Sequence, residues 1–300
     1  MPRTIEPIGA APPRIPRALR GHSGVCLTLI EEPGGSYVRK SATRPAQNER
    51  LRRQCQKLQA AHDAGVSCPA VYRLGDNGGL FYFEMEYIPG EGLSHAIASR
   101  RELRWNELTP SLVALLERFK ATEAGGIPEE EFRAKLSRIV DESRHNPAVA
   151  ESHAAAETLA ERLLRMSWSG IPRSDCHGDM TLENILIRQD GSLCFLDFDV
   201  PEHPSWVLDL AKVYQDLMGQ WCLRELAIQQ PDSTELLNAQ MALARLTRTI
   251  GPAFDTVLPK HQQRMAQLAS FHLMRTLPYA ASPNTAAYVV KRIAAILSDS

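Results

Sequence analysis

In residues 177–200, HGDMTLENILIRQDGSLCFLDFDV, three side chains that could do chemistry stand among apolar neighbours: Asp179, Asn184 and Asp197. Asp179 and Asn184 are five apart in what reads as a loop. Asp197 follows Asn184 by thirteen positions, at the far end of a hairpin-like pair, NILIRQ and SLCFLDF, that turns at Asp190-Gly191. Folding that hairpin brings Asp197 back beside Asn184. A carboxylate and an amide carbonyl make a hard, oxygen-only site, which suits magnesium carried on substrate phosphates better than zinc or copper. A second carboxylate nearby that need not bind metal can orient a hydroxyl and accept its proton as it attacks phosphorus. The ordinary alternative, that these residues cap helices or form turns, requires all three spacings to coincide by accident. The trio therefore has the parts of a phosphoryl-transfer site.

Two kinds of segment must position it. From Gly21 to about Gly90 the pattern is mostly strand. GVCLTLIEE and GSYVRKSA form a plausible hairpin across Pro33 to Gly35, and a second pair turns at DNGG, Asp76 to Gly79, with GLFYFEMEYI as its second arm. Between the pairs, a helix is expected from about Pro45 to Ala64, with Leu51, Cys55, Leu58 and His62 near one face and a stop at Gly65. After Pro89-Gly90 the chain reads as helical near 92–100, 109–123, 128–143 and 150–166, and again from about Ser205 to the end. Residues 1–20, with five prolines and four arginines, read as an extended or partly ordered lead-in. The expected organisation is thus a lead-in (1–20), a strand-rich lobe (21–90) and a helical lobe (91–300) carrying the loop, with a ligand cleft expected between the lobes.

Bulk properties narrow the partners. The 300-residue chain has a formal net charge of -1, which gives no broad electrostatic reason to expect nucleic acid or an anionic membrane. No apolar run approaches the length of a membrane span, and the N-terminus lacks the apolar core of a secretory signal. The six cysteines are scattered without a CxxC pair, which fits neither a zinc site nor a disulfide framework and suits a reduced cytoplasm. Nothing in the sequence sets the oligomeric state.

HGDMTLENIL followed by LDFD resembles the HGDxxxxN and DFx(D/E) signatures of the aminoglycoside phosphotransferase and choline kinase family, small-molecule relatives of the protein kinases. GHSG, VRK, NERLRRQCQK, VLDLAKVYQDL and MRTLPYA are similar to a branch associated with bacterial surface-polysaccharide and sugar modification. The similarity runs from about Gly21 to Leu297. It implies an α+β, protein-kinase-like bilobal fold, with a small antiparallel sheet lobe holding one helix and a larger helical lobe. It also implies ATP and magnesium as cofactors, with GTP the alternative donor, and a small-molecule hydroxyl as acceptor.

Carried onto this chain, the resemblance implies that Asp179 is the catalytic base and that Asn184 and Asp197 ligate magnesium. His177 would brace the loop, and Asp209 would support it from below. Three roles are open to Asp199: contacting metal, anchoring the loop or facing solvent. Gly21, Ser23 and Gly24 of GHSG would let backbone amides approach the nucleotide phosphates, or form a plain turn. Lys40 would contact the α- and β-phosphates, and the backbone from Glu86 to Ile88 would read the adenine edge. The chain departs from the family at the helix glutamate that normally pairs with the strand lysine. Aligning on AGV (Ala64 to Val66) puts Gln54 there, bordering the Leu51 and Leu58 stripe, whereas Glu49 points almost opposite. Gln54 is expected to hydrogen-bond Lys40, and Glu49 to be solvated.

A pocket for polycationic aminoglycosides should concentrate acid, yet residues 201–300 hold eight Asp or Glu against nine Lys or Arg, which weakens that reading. The resemblance to the sugar-modification branch implies a sugar or sugar-like polyol as acceptor. Trp206, Tyr214, Trp221, Phe271 and Tyr279 are candidates for a choline cage or for core. Arg275 is a candidate for an anionic acceptor or for a buttress of the lobe. An aminoglycoside kinase, a choline or ethanolamine-type kinase and a catalytically silent nucleotide-binding module stand as alternatives. Only eleven residues separate Asp197 from Asp209, which leaves no room for the activation segment of a protein kinase.

Overall fold

Turn chemistry sets the register of the first sheet. Gly78 and Gly79 take φ of +60° and +82°, the pair of left-handed residues that a two-residue hairpin turn demands. The computed structural model describes residues 17–19, 24–99, 103, 105–258 and 261–298, in two units, one ending at Ile88 and the other beginning at Pro89.

In the first unit, strands β1 (Arg17–Leu19), β2 (Cys26–Glu32), β3 (Gly35–Ser41), β4 (Val71–Asn77) and β5 (Leu80–Glu86) form an antiparallel sheet of order β1-β2-β3-β5-β4. Helix α1 (Asn48–Asp63) contacts β5 through a stripe of buried Leu51, Cys55 and Leu58, and Gly65 at φ +79° ends it. Alternation puts Val38 and Lys40 on the same buried face of β3, with Lys40 opposite Phe83 of β5. Strand β1 lies within the proline- and arginine-rich lead-in, so its last residues pair with β2 as part of the sheet. The rest of that lead-in lies outside the described residues.

The second unit opens with β6 (Gly90–Gly92), which joins β7 (Ile185–Arg188) and β8 (Leu193–Phe195) in a three-stranded sheet of order β6-β7-β8. Strand β6 escapes sequence reading because GEG has neither β-forming residues nor alternation. Its Gly90 is required, since a Cβ there would sit 2.5 Å from the carbonyl oxygen of Ile187. Around this sheet lie α2 (Leu93–Ala98), α3 (Trp105–Lys120), α4 (Glu129–Arg144), α5 (His153–Leu164), α6 (Trp206–Leu217), α7 (Arg224–Gln229), α8 (Thr234–Val257), α9 (His261–Met274) and α10 (Pro283–Ser298). Ser205 caps α6 by accepting from the Val207 amide. Nearly every residue of α6 is buried, as expected of a helix surrounded by α3, α8 and α9. Among the described residues no helix is long and apolar enough to cross a membrane.

An aromatic cluster ties α4 to α9. Phe132 stacks on Trp168 at 5.3 Å between centroids and meets Phe271 edge-on at 5.9 Å. Phe132 is fully buried, so Phe132→Ala is expected to cost about 3–5 kcal/mol of unfolding free energy. Urea denaturation checks this, and a loss below about 1 kcal/mol would show that the cluster repacks around the gap.

Candidate active site

Residues 176–184 form a loop whose backbone is held by one helix. The amides of His177 and Gly178 both donate to the carboxylate of Asp209, the second at 2.8 Å. One turn on, Lys212 reaches the loop at the next residue, its Nζ 3.0 Å from Asp179 Oδ1. Asp216, a further turn on, accepts from the Leu182 amide at 2.7 Å and from the Cys222 amide at 2.9 Å. At 100° per residue, Asp209, Lys212 and Asp216 fall within an arc of about 60° on α6. Three charges on one face of a buried helix thus meet the loop at residues 177–179 and 182, in chain order.

The loop is also closed from the other side. Asp199 N–H donates to the His177 carbonyl at 3.0 Å, and the buried His177 ring lies 4.3 Å from the Phe198 ring. Gly178, at φ +96°, sits so close to this segment that a Cβ would come within 2.3 Å of the Asp199 oxygen. Burial raises the Asp179 carboxyl, but the charge and hydrogen bond of Lys212 outweigh this and hold it below the ordinary range. Asp179 is therefore ionised at neutral pH.

Asn184 and Asp197 flank the β7/β8 hairpin. Ile185 pairs with Phe195, and Leu196 N–H donates to the Asn184 carbonyl at 2.8 Å, so the two residues stand at adjacent strand ends. The Asn184 amide nitrogen is committed to Asp179, donating to its carbonyl at 2.8 Å and to Oδ2 at 3.0 Å. This fixes the amide's orientation and leaves its oxygen as the group available to a cation. Asp197 has φ +56°, a left-handed conformation that is uncommon for a non-glycine residue and is found where a side chain must be aimed. One amide oxygen and one carboxylate fit magnesium, which takes few protein ligands and completes its shell with phosphate oxygens and water.

In the first unit, Gly24 is a left-handed turn residue whose carbonyl accepts from Thr43 Oγ1 and Gln47 Nε2, each at 3.0 Å. Gly21 and Ser23 lie outside the described residues. Lys40 is buried on β3, and Gln54 is buried on the sheet-facing stripe of α1. Glu49 is exposed on the other side, with Arg53 Nε at 3.6 Å. At the end of β5, the Glu86 amide donates to the Ala70 carbonyl at 2.8 Å, and Ile88 is buried.

A family model described as the phosphotransferase enzyme family matches residues 21–248. The chain belongs to the phosphotransferase enzyme family. It is a small-molecule kinase with the protein-kinase-like fold. By sequence, no curated protein matches it. Its solved neighbours are distant. Choline kinase LicA from Streptococcus pneumoniae is 16% identical, with TM-score 0.59 over 95% of this chain and 94% of that one. Aminoglycoside phosphotransferase APH(3'')-Id from Streptomyces rimosus is also 16% identical, with TM-score 0.57 over 87% of this chain and 92% of that one. A thermostable mutant of aminoglycoside phosphotransferase APH(4)-Ia is 13% identical, with TM-score 0.55 over 95% and 94%. LicA has been solved with AMP, and APH(3'')-Id with ADP and streptomycin.

Two residues of this phosphotransferase's site escaped sequence reading: Lys212 and Asp216. The signal was present as charges three and seven positions after Asp209 in an otherwise apolar helix. The aromatic residues divide. Trp206, Tyr214 and Phe271 are core, Trp221 is half-buried with the Arg224 guanidinium 4.3 Å above its ring, and Tyr279 is exposed.

Gly178→Ala is expected to displace either the loop or the Asp199 segment, lowering both kcat and the melting temperature. A variant with wild-type values in both would show that the close approach is dispensable. Asp216 makes a pH prediction. Burial pushes its carboxyl up to about 7, against the opposing pull of its two amide donors. Between roughly pH 4 and 7 the folded state binds the proton more tightly than the unfolded state, so this group makes stability rise as pH falls through that window. The slope approaches about 1.4 kcal/mol per pH unit. Asp216→Asn should flatten it, as read by urea titrations at pH 5, 6, 7 and 8, and parallel profiles for the two proteins would refute the assignment.

Proposed function

We propose that this phosphotransferase moves the γ-phosphoryl group of ATP to a hydroxyl of a sugar or sugar-like polyol, with Asp179 as the base and Asn184 and Asp197 as magnesium ligands. The observation that carries this reading is the Asn184 amide nitrogen pinned to Asp179, with Asn184 and Asp197 at adjacent strand ends of one hairpin. Magnesium, when bound, supplies neutralising charge for the phosphates.

Asp179 orients the acceptor hydroxyl and takes its proton as the oxygen attacks phosphorus. Lys212 keeps that carboxylate ionised and fixes its rotamer. His177 and Asp209 hold the loop so that the carboxylate does not wander. In the first unit, Lys40 contacts the donor's α- and β-phosphates, with Gln54 as a neutral partner in place of the family's glutamate, and the left-handed Gly24 lies in the turn that approaches the phosphates. The backbone from Glu86 to Ile88 meets the base. The near balance of acid and base over residues 201–300 argues against a polycation as acceptor. Burial of Trp206, Tyr214 and Phe271 removes three of the aromatics that a quaternary-ammonium cage would use.

Asp179→Asn is expected to lower kcat by about 10²–10⁴-fold, measured as acceptor-stimulated ADP release across a panel of sugars, polyols, aminoglycosides and amino alcohols. Unchanged turnover in the variant would remove Asp179 from the chemistry, and a response to aminoglycosides alone would overturn the sugar reading. Lys212→Met should lower kcat by about tenfold or more while changing the KM for ATP little. An effect on KM alone would instead give Lys212 a role in holding the nucleotide.

A further inference from the structure

Most cations around the catalytic loop are answered by a carboxylate. Lys212 pairs with Asp179 at 3.0 Å, and Lys135 and Arg138 share Glu202 at 3.0 and 2.9 Å. Arg275, just after α9, is different. The hydrogen bond of its guanidinium is to the ring of His272, Nη1 to Nδ1 at 3.1 Å, and among the described residues no carboxylate lies within ion-pair distance of it. Yet it is only partly exposed. Burial pulls its proton affinity below the ordinary arginine value, offset at longer range by Asp179, Asp199, Glu202 and Tyr279, and Arg275 lines a cavity together with Gly178 of the loop. A partly desolvated guanidinium with no carboxylate at contact distance is an expensive arrangement unless an anion arrives to complete it.

The surroundings fit such a guest. Lys135, Gly178, His203, Asp209, His272 and Arg275 line a cavity of about 10 Å3, room for one oxygen-sized atom. Asp209 adds no free acceptor to this cavity, because its oxygens already take the amides of His177 and Gly178. His203 has its own counterpart in Glu131, Nδ1 to Oε2 at 3.1 Å. His272 is buried with Nε2 lacking a hydrogen-bond partner. Burial, reinforced by the charges of Lys212, Arg275 and Lys135, keeps that ring neutral, so it brings no competing charge to the cavity. Gly178, in the wall, is the immediate neighbour of Asp179.

We propose that Arg275, assisted by Lys135, binds an anionic group of the acceptor, so that the molecule phosphorylated is a hydroxylated acid, namely a sugar bearing a carboxylate or a phosphate. This rests on the kinase reading above and narrows its acceptor. With the anion held by the guanidinium, a hydroxyl elsewhere on the same molecule faces Asp179. That oxygen bonds to the γ-phosphorus, the bond from the γ-phosphorus to the β,γ-bridging oxygen breaks, ADP departs with that electron pair, and the hydroxyl proton passes to the Asp179 carboxylate. Bidentate capture of a planar or tetrahedral oxyanion is what arginine does better than lysine.

The test is calorimetric titration of the full chain with glucose, glucuronate and glucose 6-phosphate, and separately with Mg·ADP. At least one anionic sugar is expected to bind about tenfold or more tightly than glucose, and Arg275→Gln to erase that advantage. Arg275→Lys should keep part of it, and Lys135→Gln should lose less than Arg275→Gln. Which of the two anions is preferred separates carboxylate from phosphate. Equal affinity for glucose and both anions, no binding of either anion, or undiminished anion binding in Arg275→Gln would overturn the proposal. So would an equal loss of Mg·ADP affinity in that variant, which would assign Arg275 to the donor. If circular dichroism shows that Arg275→Gln does not fold, Arg275→Lys and Lys135→Gln decide, and wild-type anion affinity in both sinks the site. Failure of the wild type to bind Mg·ADP would remove the kinase reading instead, while the anion titrations still decide the role of Arg275.

Discussion

Two backbone amides, those of His177 and Gly178, end on a single buried carboxylate, Asp209. The rest of the catalytic arrangement hangs from that contact. Buried N–H groups without partners would each cost on the order of 1–3 kcal/mol, and a buried carboxylate without donors would cost more. Each side makes the other tolerable. Lys212 and Asp216 extend the same logic along α6, so the path of the loop is dictated by a helix face and not by the loop's own residues. A helix so thoroughly buried has little freedom to shift, and the loop inherits its rigidity.

The chemistry is then divided between the two ends of a short hairpin. The turn at Asp190-Gly191 and the pairing of Ile185 with Phe195 set the strand ends side by side. Asn184 enters from one and Asp197 from the other. Neither residue needs to be exceptional by itself; what counts is that the Asn184 nitrogen is spent on Asp179 and that Asp197 takes a left-handed backbone conformation.

Much of this was legible in the sequence because the loop residues sit at fixed offsets along a stretch whose local structure is forced by turn chemistry and strand pairing. That Asp179, Asn184 and Asp197 would lie near one another was readable that way, and Asp209, singled out through its resemblance to a family position, does take two amides of the loop. The sheet of the first unit followed from alternation and from the DNGG turn. What was missed had a weak local signature or none. Strand β6 is three residues without β-forming side chains, held by a close backbone approach at Gly90. The strand in the proline- and arginine-rich lead-in owes its state to β2. Lys212 and Asp216 looked like ordinary helix charges until burial of the helix showed that they could not be solvated. Arg275 could be singled out, but that no carboxylate among the described residues comes within ion-pair distance of it is a tertiary fact that no spacing encodes.

The contact between Gly178 and the Asp199 oxygen leaves no space for even a methyl group. It welds the segment bearing Asp179 to the segment bearing Asp197, so that neither can be adjusted without dragging the other. A lineage built on such a joint cannot retune its chemistry by small steps at this spot. Variation is left to the surrounding helices, while the joint itself is passed on intact.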